Sequence, residues 1–291
     1  MDNPSLNYLS QIRDNLEYVD FDLLKKSIAN LRDKFVPVAR LRKGHYIDRV
    51  RINKNGETFT RKDQINYITD PDTLEKYVGF GRANFPKQGI FYGAIPTPKI
   101  EYPRGTAYLE TTDFFSCKPV ADNFTEIFTS GRWIILEDIP VMEMIFSDEA
   151  LKESEYAQAS LKAQTEAIHN FKLKEHYIEQ GKFFSNEFSR DDCKDIPDNY
   201  KISAAYSNYV WDNTDIKGVA YPSVRTDFKG QNVALLPELV DKYLKLEKVA
   251  MFKFERINGV NQPIDSFKLA TDLGKDQNDF QWFDYIGKEH Q

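Results

Sequence analysis

The sequence predicts an α+β protein, and two patterns carry that expectation. Apolar residues recur at three- and four-residue steps near the N-terminus and again over residues 147–181, as on an amphipathic helix. Between and after these stretches, short β-favouring runs are separated by turn residues, without the regular strand–helix alternation of a parallel α/β sheet.

Taken in order, residues 5–35 place Leu6, Leu9, Ile12, Leu16, Leu23, Leu24, Ile28 and Leu31 at helical spacing, with Asp20 suited to cap a second helix. They form an N-terminal helical arm over 1–35, read as a lid on the core rather than a dedicated partner-binding element. Residues 46–52, 57–60, 89–95, 106–115 and 133–136 read as strands, with Asn55-Gly56 as a turn and the proline-bearing 96–104 as a loop. Residues 147–181 return to helix from a Ser147 start. A helix over 202–211 leads to Gly218, then to strands over 219–224 and 233–236, a helix over 237–244 and an alternating strand over 248–255. The main domain is expected to span 36–258, and 259–291 is a tail whose aromatic patch at 280–285 folds back on the body.

At 291 residues the chain is long enough for a large core, and 41% hydrophobic with 29% charged residues is globular composition. A net charge of −6 offers no overall basic surface for nucleic acid. No run approaches the ~20 apolar residues of a membrane span, and the N-terminus lacks the cationic-then-apolar pattern of a signal peptide. Cys117 and Cys193 lie far apart, which argues against a disulfide framework or thiolate metal site and for a reducing compartment. A soluble, cytoplasmic protein with no membrane and no nucleic-acid partner is expected.

Familiar catalytic motifs are missing. There is no P-loop, no G-x-S-x-G elbow, and Gly79-Phe80-Gly81-Arg82 lacks the spacing of a dinucleotide fingerprint. His169 and His176, seven apart on an expected helix, are better explained by a solvated face than by a metal pair, and no metal site is expected.

Four segments stand out. In Asp48-Arg49-Val50-Arg51, two arginines share one face of a strand, where they repel unless an anion or carboxylate lies between them. A solvated face is the commoner explanation for such a pair taken alone. In Gly79-Phe80-Gly81-Arg82-Ala83-Asn84, glycines admit a close ligand and Arg82 suits a phosphate, while Tyr92 further on offers a ring face. Read plainly, that segment is a loop entering a strand with core aromatics. Glu110 sits in the β-favouring run Tyr108-Leu109-Glu110-Thr111-Thr112, where exposure is the usual answer for a single glutamate. Finally, Gly218-Val219-Ala220-Tyr221-Pro222-Ser223 ends a strand on a hydroxyl, ahead of Gly230-Gln231-Asn232; an ordinary turn serine is the plain alternative.

In this order the four segments resemble the RES domain, a family named for its Arg, Glu and Ser positions. The likeness runs from about Arg49 to Glu255. Its clearest match is Ser223 in the G-[IV]-x-Y-[PS]-S strand, followed by Arg82 and Asn84 in GRxN, then Tyr92, and Asn232 after Gly230. The family arginine fits Arg49, with Arg40 in Ala39-Arg40-Leu41-Arg42 as a rival. The family glutamate fits Glu110, across a proline-rich insertion.

The resemblance implies an ADP-ribosyltransferase-like fold, with two small, roughly orthogonal sheets around a cleft and flanking helices. It implies NAD as substrate, with no permanently bound cofactor, and scission of the nicotinamide–ribose bond by hydrolysis, phosphorolysis or transfer. Glu110 would be the catalytic carboxylate, with Ser223 holding it or the ribose. Arg49 and Arg82 would grip the pyrophosphate, Tyr92 would pack on nicotinamide or ribose, and Arg51, Asn84 and Asn232 would join the binding set. The family includes toxins paired with antitoxins, so an antitoxin is one partner to expect, and the extra helices could serve that contact or a homo-oligomer. Two alternatives remain open: ADP-ribosyl transfer to a macromolecule, and a silent NAD-binding module.

Overall fold

A computed structural model describes residues 3–116, 120–191, 196–270, 273 and 279–285. Helix α1 (Pro4–Ile12) starts where Asn3 Oδ1 accepts from the Leu6 amide at 3.3 Å, with proline in the first turn, where its missing N–H costs nothing. Helix α2 (Phe21–Ala29) starts on Asp20, which accepts from the Leu23 amide at 3.0 Å. The N-terminal arm is thus two helices, separated by a single 3₁₀ turn at Leu16–Tyr18. Leu6, Leu9, Leu24 and Ile28 are buried from one side of the pair.

Strands β1 (Val38–Leu41), β2 (Tyr46–Ile52) and β3 (Phe91–Ile95) come next, with helix α3 (Pro71–Tyr77) between the last two. Helix α4 (Arg104–Thr111) precedes β4 (Phe124–Ile135) and β5 (Ile139–Glu143). Helices α5 (Asp148–Glu153), α6 (Glu155–Thr165), α7 (Phe171–Phe188) and α8 (Lys201–Asn213) follow. The chain closes with β6 (Gly218–Pro222), β7 (Gln231–Leu235), α9 (Pro237–Tyr243), β8 (Leu244–Ile257), β9 (Val260–Asn261), β10 (Asp265–Ala270) and β11 (Phe283–Asp284).

The architecture is mixed α+β, with a mostly antiparallel sheet flanked by helices. Strands follow one hydrogen-bonded path, β1-β5-β6-β7-β3-β2-β4-β8-β10-β11, with β9 on β8. Only β5 and β6 run parallel among the described residues. Where two small, roughly orthogonal sheets are expected, the strands form one hydrogen-bonded path with a narrow waist, because β2 and β3 share a ladder pair at Asp48↔Ala94 alone. Gly93 makes that approach possible, since a Cβ there would sit 2.5 Å from Ile47 Cγ2 and 3.1 Å from the Asp48 carbonyl oxygen.

Three other expectations are corrected. Residues 57–60 form no strand; a 3₁₀ turn at Lys54–Gly56 leads into irregular chain. The stretch 147–181 is broken at Ser154, which caps α6, and at Asn170, which caps α7, so His169 precedes the helix that holds His176. The run 106–115 is mainly helix α4 rather than strand. Ala107 and Tyr108 set its direction by packing down among Val50, Phe128, Phe252 and Phe254, with the Tyr108 ring 4.4 Å from that of Phe128. Burying such a side chain is worth roughly 1.5–3 kcal/mol, enough to override a weak β preference.

The N-terminal helices pack on α7 and α8 around Leu9, Leu24, Phe184, Tyr206 and Trp211, where the Phe184 and Tyr206 rings stack at 3.7 Å. A second core, with Phe91, Trp133, Val141 and Leu235, includes Phe280, and Trp282 Nε1 donates to the Phe59 carbonyl at 2.9 Å, tying the tail to the body. No helix among the described residues is long and apolar enough to cross a membrane. Cys117 and Cys193 lie outside the described residues.

Candidate active site

Beside the waist of the sheet lies a cavity of about 220 Å³, lined by Arg49, Arg82, Tyr92, Glu110, Tyr221 and Asn232 among others. Arg49 comes from β2, Tyr92 from β3, Tyr221 from β6, Asn232 from β7, Glu110 from α4 and Arg82 from the loop before β3.

Helix geometry aims Glu110. Ala107, Glu110 and Thr111 stand three and four residues apart, on one face of α4, and all three line the cavity. Behind Glu110, the β6–β7 hairpin supplies two donors. Fully buried Ser223 donates from Oγ to Glu110 Oε1 at 2.7 Å, and Asn232 donates from Nδ2 to the same oxygen at 2.9 Å. Gly230 lets the hairpin come this close to α4, because a Cβ there would lie 2.5 Å from Thr106 Oγ1. Both bonds fall on Oε1, so Oε2 is left to the cavity.

Arg49 is the electrostatic counterpart. Its Nη1 donates to the Tyr92 carbonyl at 2.6 Å and its guanidinium lies over the Phe91 ring, 5.3 Å from the centroid. Its Nε is buried without a hydrogen-bond partner, and no carboxylate within 4 Å forms an ion pair with it among the described residues. Burial, and after it the like charge of Arg51, pushes the Arg49 guanidinium down to about 9. It is still cationic at neutral pH, so the cavity holds a buried positive charge with no ion-pair partner among the described residues.

Arg51 shares that face of β2; burial lowers its pKa against the pull of Glu57, but it does not line the cavity. Arg82 lines the cavity, donating from Nη1 to the Phe188 carbonyl at 2.6 Å, with its guanidinium over the Tyr200 and Tyr221 rings at 5.3 and 5.9 Å. Tyr92 offers its ring, while its hydroxyl donates to Asn84 Oδ1 at 2.8 Å and accepts from the Ala83 amide at 3.0 Å. Burial raises the pKa of this phenol and that of Tyr221.

Of the residues singled out in the sequence, the structure brings Arg49, Arg82, Tyr92, Glu110, Ser223 and Asn232 together. Asn84 stands apart from the cavity: its Nδ2 donates to the Gly79 and Phe85 carbonyls at 2.9 and 3.0 Å, so it shapes the loop that carries Arg82. Arg40, the rival of Arg49, lies in β1 at one end of the strand path, opposite Pro140, and does not line the cavity. Sequence reasoning missed Tyr200, Tyr221 and Thr111 as lining residues. Tyr221 lay within the quoted strand motif, whereas nothing in the sequence around Tyr200 signals a site. Among the described residues, no group of three or more His, Cys, Asp or Glu side chains could hold a metal ion.

In comparisons with known proteins, no family model matches the chain and no curated protein matches it.

Proposed function

We propose that the chain cleaves the nicotinamide–ribose bond of NAD, on an ADP-ribosyltransferase-like fold and in the manner of the RES family its motifs resemble. What carries this reading is one conjunction: a carboxylate with a single open oxygen and a buried guanidinium without a counter-ion line the same cavity.

Each half of that conjunction suits one part of the substrate. When the C1′–N bond breaks, its electron pair passes to the nicotinamide nitrogen, which becomes neutral, and positive charge develops on the ribose. An oxocarbenium-like centre of this kind is stabilised by a nearby carboxylate. Glu110 Oε2 would supply that stabilisation or hold a ribose hydroxyl, and Ser223 and Asn232 keep the carboxylate from rotating. Arg49 would take a phosphate oxygen, relieving its unpaired charge, and Arg82 would add a second cation. Tyr92 and Tyr221 give flat surfaces for a heterocycle.

Size limits what enters. At about 220 Å³ the cavity is below the roughly 300–1,000 Å³ of a site that engulfs a whole ligand. It suits the nicotinamide riboside end and the adjoining phosphate, with the adenosine outside.

The test is incubation of the protein with NAD, with and without inorganic phosphate, and identification of the products by mass spectrometry. Free nicotinamide with ADP-ribose is the hydrolytic outcome, and ADP-ribose 1″-phosphate the phosphorolytic one. A mass increment on protein in place of a free product would make the chain a transferase. Intact NAD under all conditions would overturn the reading.

A further inference from the structure

The amide of Asn232 is oriented by its neighbours. Glu110 Oε1 already accepts from the Ser223 hydroxyl at 2.7 Å, and a carboxylate oxygen can only accept, so the Asn232 atom 2.9 Å away must be the donating Nδ2. Its Oδ1 then points away from Glu110. That oxygen takes no hydrogen bond among the described residues, although Asn232 is only 4% exposed. What remains accessible of the residue lines the cavity. Two open acceptors, Asn232 Oδ1 and Glu110 Oε2, are therefore borne by a pair of side chains bonded to each other.

An acceptor pair of this kind matches two neighbouring hydroxyl donors. The position of Asn232 is fixed on both sides, since in β7 it pairs with Tyr221 of β6 and Ala94 of β3. Resting on the NAD-cleaving reading above, the geometry points to Asn232 as a specificity-determining residue that, with Glu110, reads the vicinal diol of the nicotinamide-side ribose. One hydroxyl donates to Glu110 Oε2 and the other to Asn232 Oδ1, while the Nδ2 bond keeps the two acceptors in register. Asn232 is thereby a ligand contact as well as a positioning residue for Glu110. A site built around hydroxyl donors rejects an analogue lacking one, because its buried acceptor is then left unpaired.

The experiment compares wild type, Asn232→Ala and Asn232→Asp on NAD and on analogues lacking the 2′ or the 3′ hydroxyl of that ribose, reading kcat/KM and, by calorimetry, Kd. Wild type is expected to lose about tenfold or more on each analogue. In Asn232→Ala one of the two losses disappears and the other persists, as in a double-mutant cycle. Asn232→Asp retains an acceptor but turns a donor into a second carboxylate beside Glu110. The acid limb of its pH–rate profile moves to higher pH, as a second carboxylate beside Glu110 requires, while it keeps the diol preference, which a merely structural role would not produce. Wild type that turns over NAD without preferring the diol, or Asn232→Ala with both losses intact, overturns this inference and leaves NAD cleavage standing. Wild type that neither consumes nor binds NAD overturns both.

Discussion

Glu143 and Glu110 are two glutamates held by serine hydroxyls, and the difference between them separates scaffold from site. Glu143, 1% exposed in β5, has both oxygens taken: Tyr156 donates from Oη to Oε1 at 2.7 Å, and Ser160 donates from Oγ to Oε2. Glu110 has two donors on one oxygen and none on the other. The same contrast divides the two faces of β2. Asp48, 1% exposed, meets Arg132 in a two-pronged pair at 2.9 and 3.0 Å, and that guanidinium lies 3.8 Å over the Tyr46 ring. One residue on, Arg49 points to the opposite face and meets no carboxylate among the described residues. Glu143 and Asp48 are closed off by their neighbours, whereas among the described residues Glu110 Oε2 and the Arg49 guanidinium are left without an ionic or hydrogen-bonded side-chain partner.

The largest effect is expected at the open carboxylate. Glu110→Gln should lower NAD turnover by roughly 10²–10³-fold, as loss of charge stabilisation in a transition state does, with an unchanged melting temperature. Glu143→Gln should do the reverse, retaining turnover while costing about 1–3 kcal/mol in a urea melt, because the new amide presents hydrogens to a hydroxyl that also donates. Equal loss of activity in the two variants would erase the distinction.

On β2 the arginines should differ in the same sense. Arg132→Met strands the Asp48 carboxylate and should cost about 3–5 kcal/mol of stability. Arg49→Met removes a charge without an ion-pair partner among the described residues, losing its bond to the Tyr92 carbonyl and its contact with the Phe91 ring, and should cost less, about 1–2 kcal/mol. Chemical denaturation of both variants decides it, and an Arg49 variant as unstable as the Arg132 one would place Arg49 in the scaffold.

A smaller effect should come from Glu187, buried in α7 with Arg13 Nε at 2.9 Å and Arg190 Nη1 at 3.5 Å. Burial raises its pKa, against the pull of both arginines. The folded chain then holds this proton more tightly than the unfolded one. Its contribution to stability is complete below the unfolded value of 4.5 and is lost as pH rises through the raised folded value. Wild type should therefore lose stability relative to Glu187→Gln as pH rises above the ordinary carboxylate value of 4.5. A difference that stays flat or grows would contradict the shift.

Much of the frame was legible in the sequence. A β-favouring run ahead of Asn55-Gly56 marked β2 and alternation marked β8, while Gly218, Pro222 and Pro237 bounded or opened β6 and α9. Asp20 was readable as a cap. Helix α4 was not readable, because Tyr108, Thr111 and Thr112 favour strands locally and the helix is decided by burial of Ala107 and Tyr108 against β4 and β8. Within the site, it was the resemblance to the RES family, and not any segment by itself, that pointed to Arg49, Arg82, Tyr92, Glu110 and Ser223. Their division of labour did not follow from spacing. Asn84 serves its own loop, and Asn232 meets a glutamate 122 positions away. That Arg49 lacks a counter-ion is a property of the packed fold, invisible in any local pattern.

The most direct measurement is thermal unfolding of wild type and Arg49→Met with and without ADP-ribose. A ligand well above its Kd adds about 2.7 kcal/mol at a hundredfold excess, so the wild-type midpoint should rise by several degrees and the Arg49→Met midpoint should stay in place. An equal rise in both proteins, or none in either at millimolar ligand, would contradict an anion-binding NAD site built on Arg49 and Glu110.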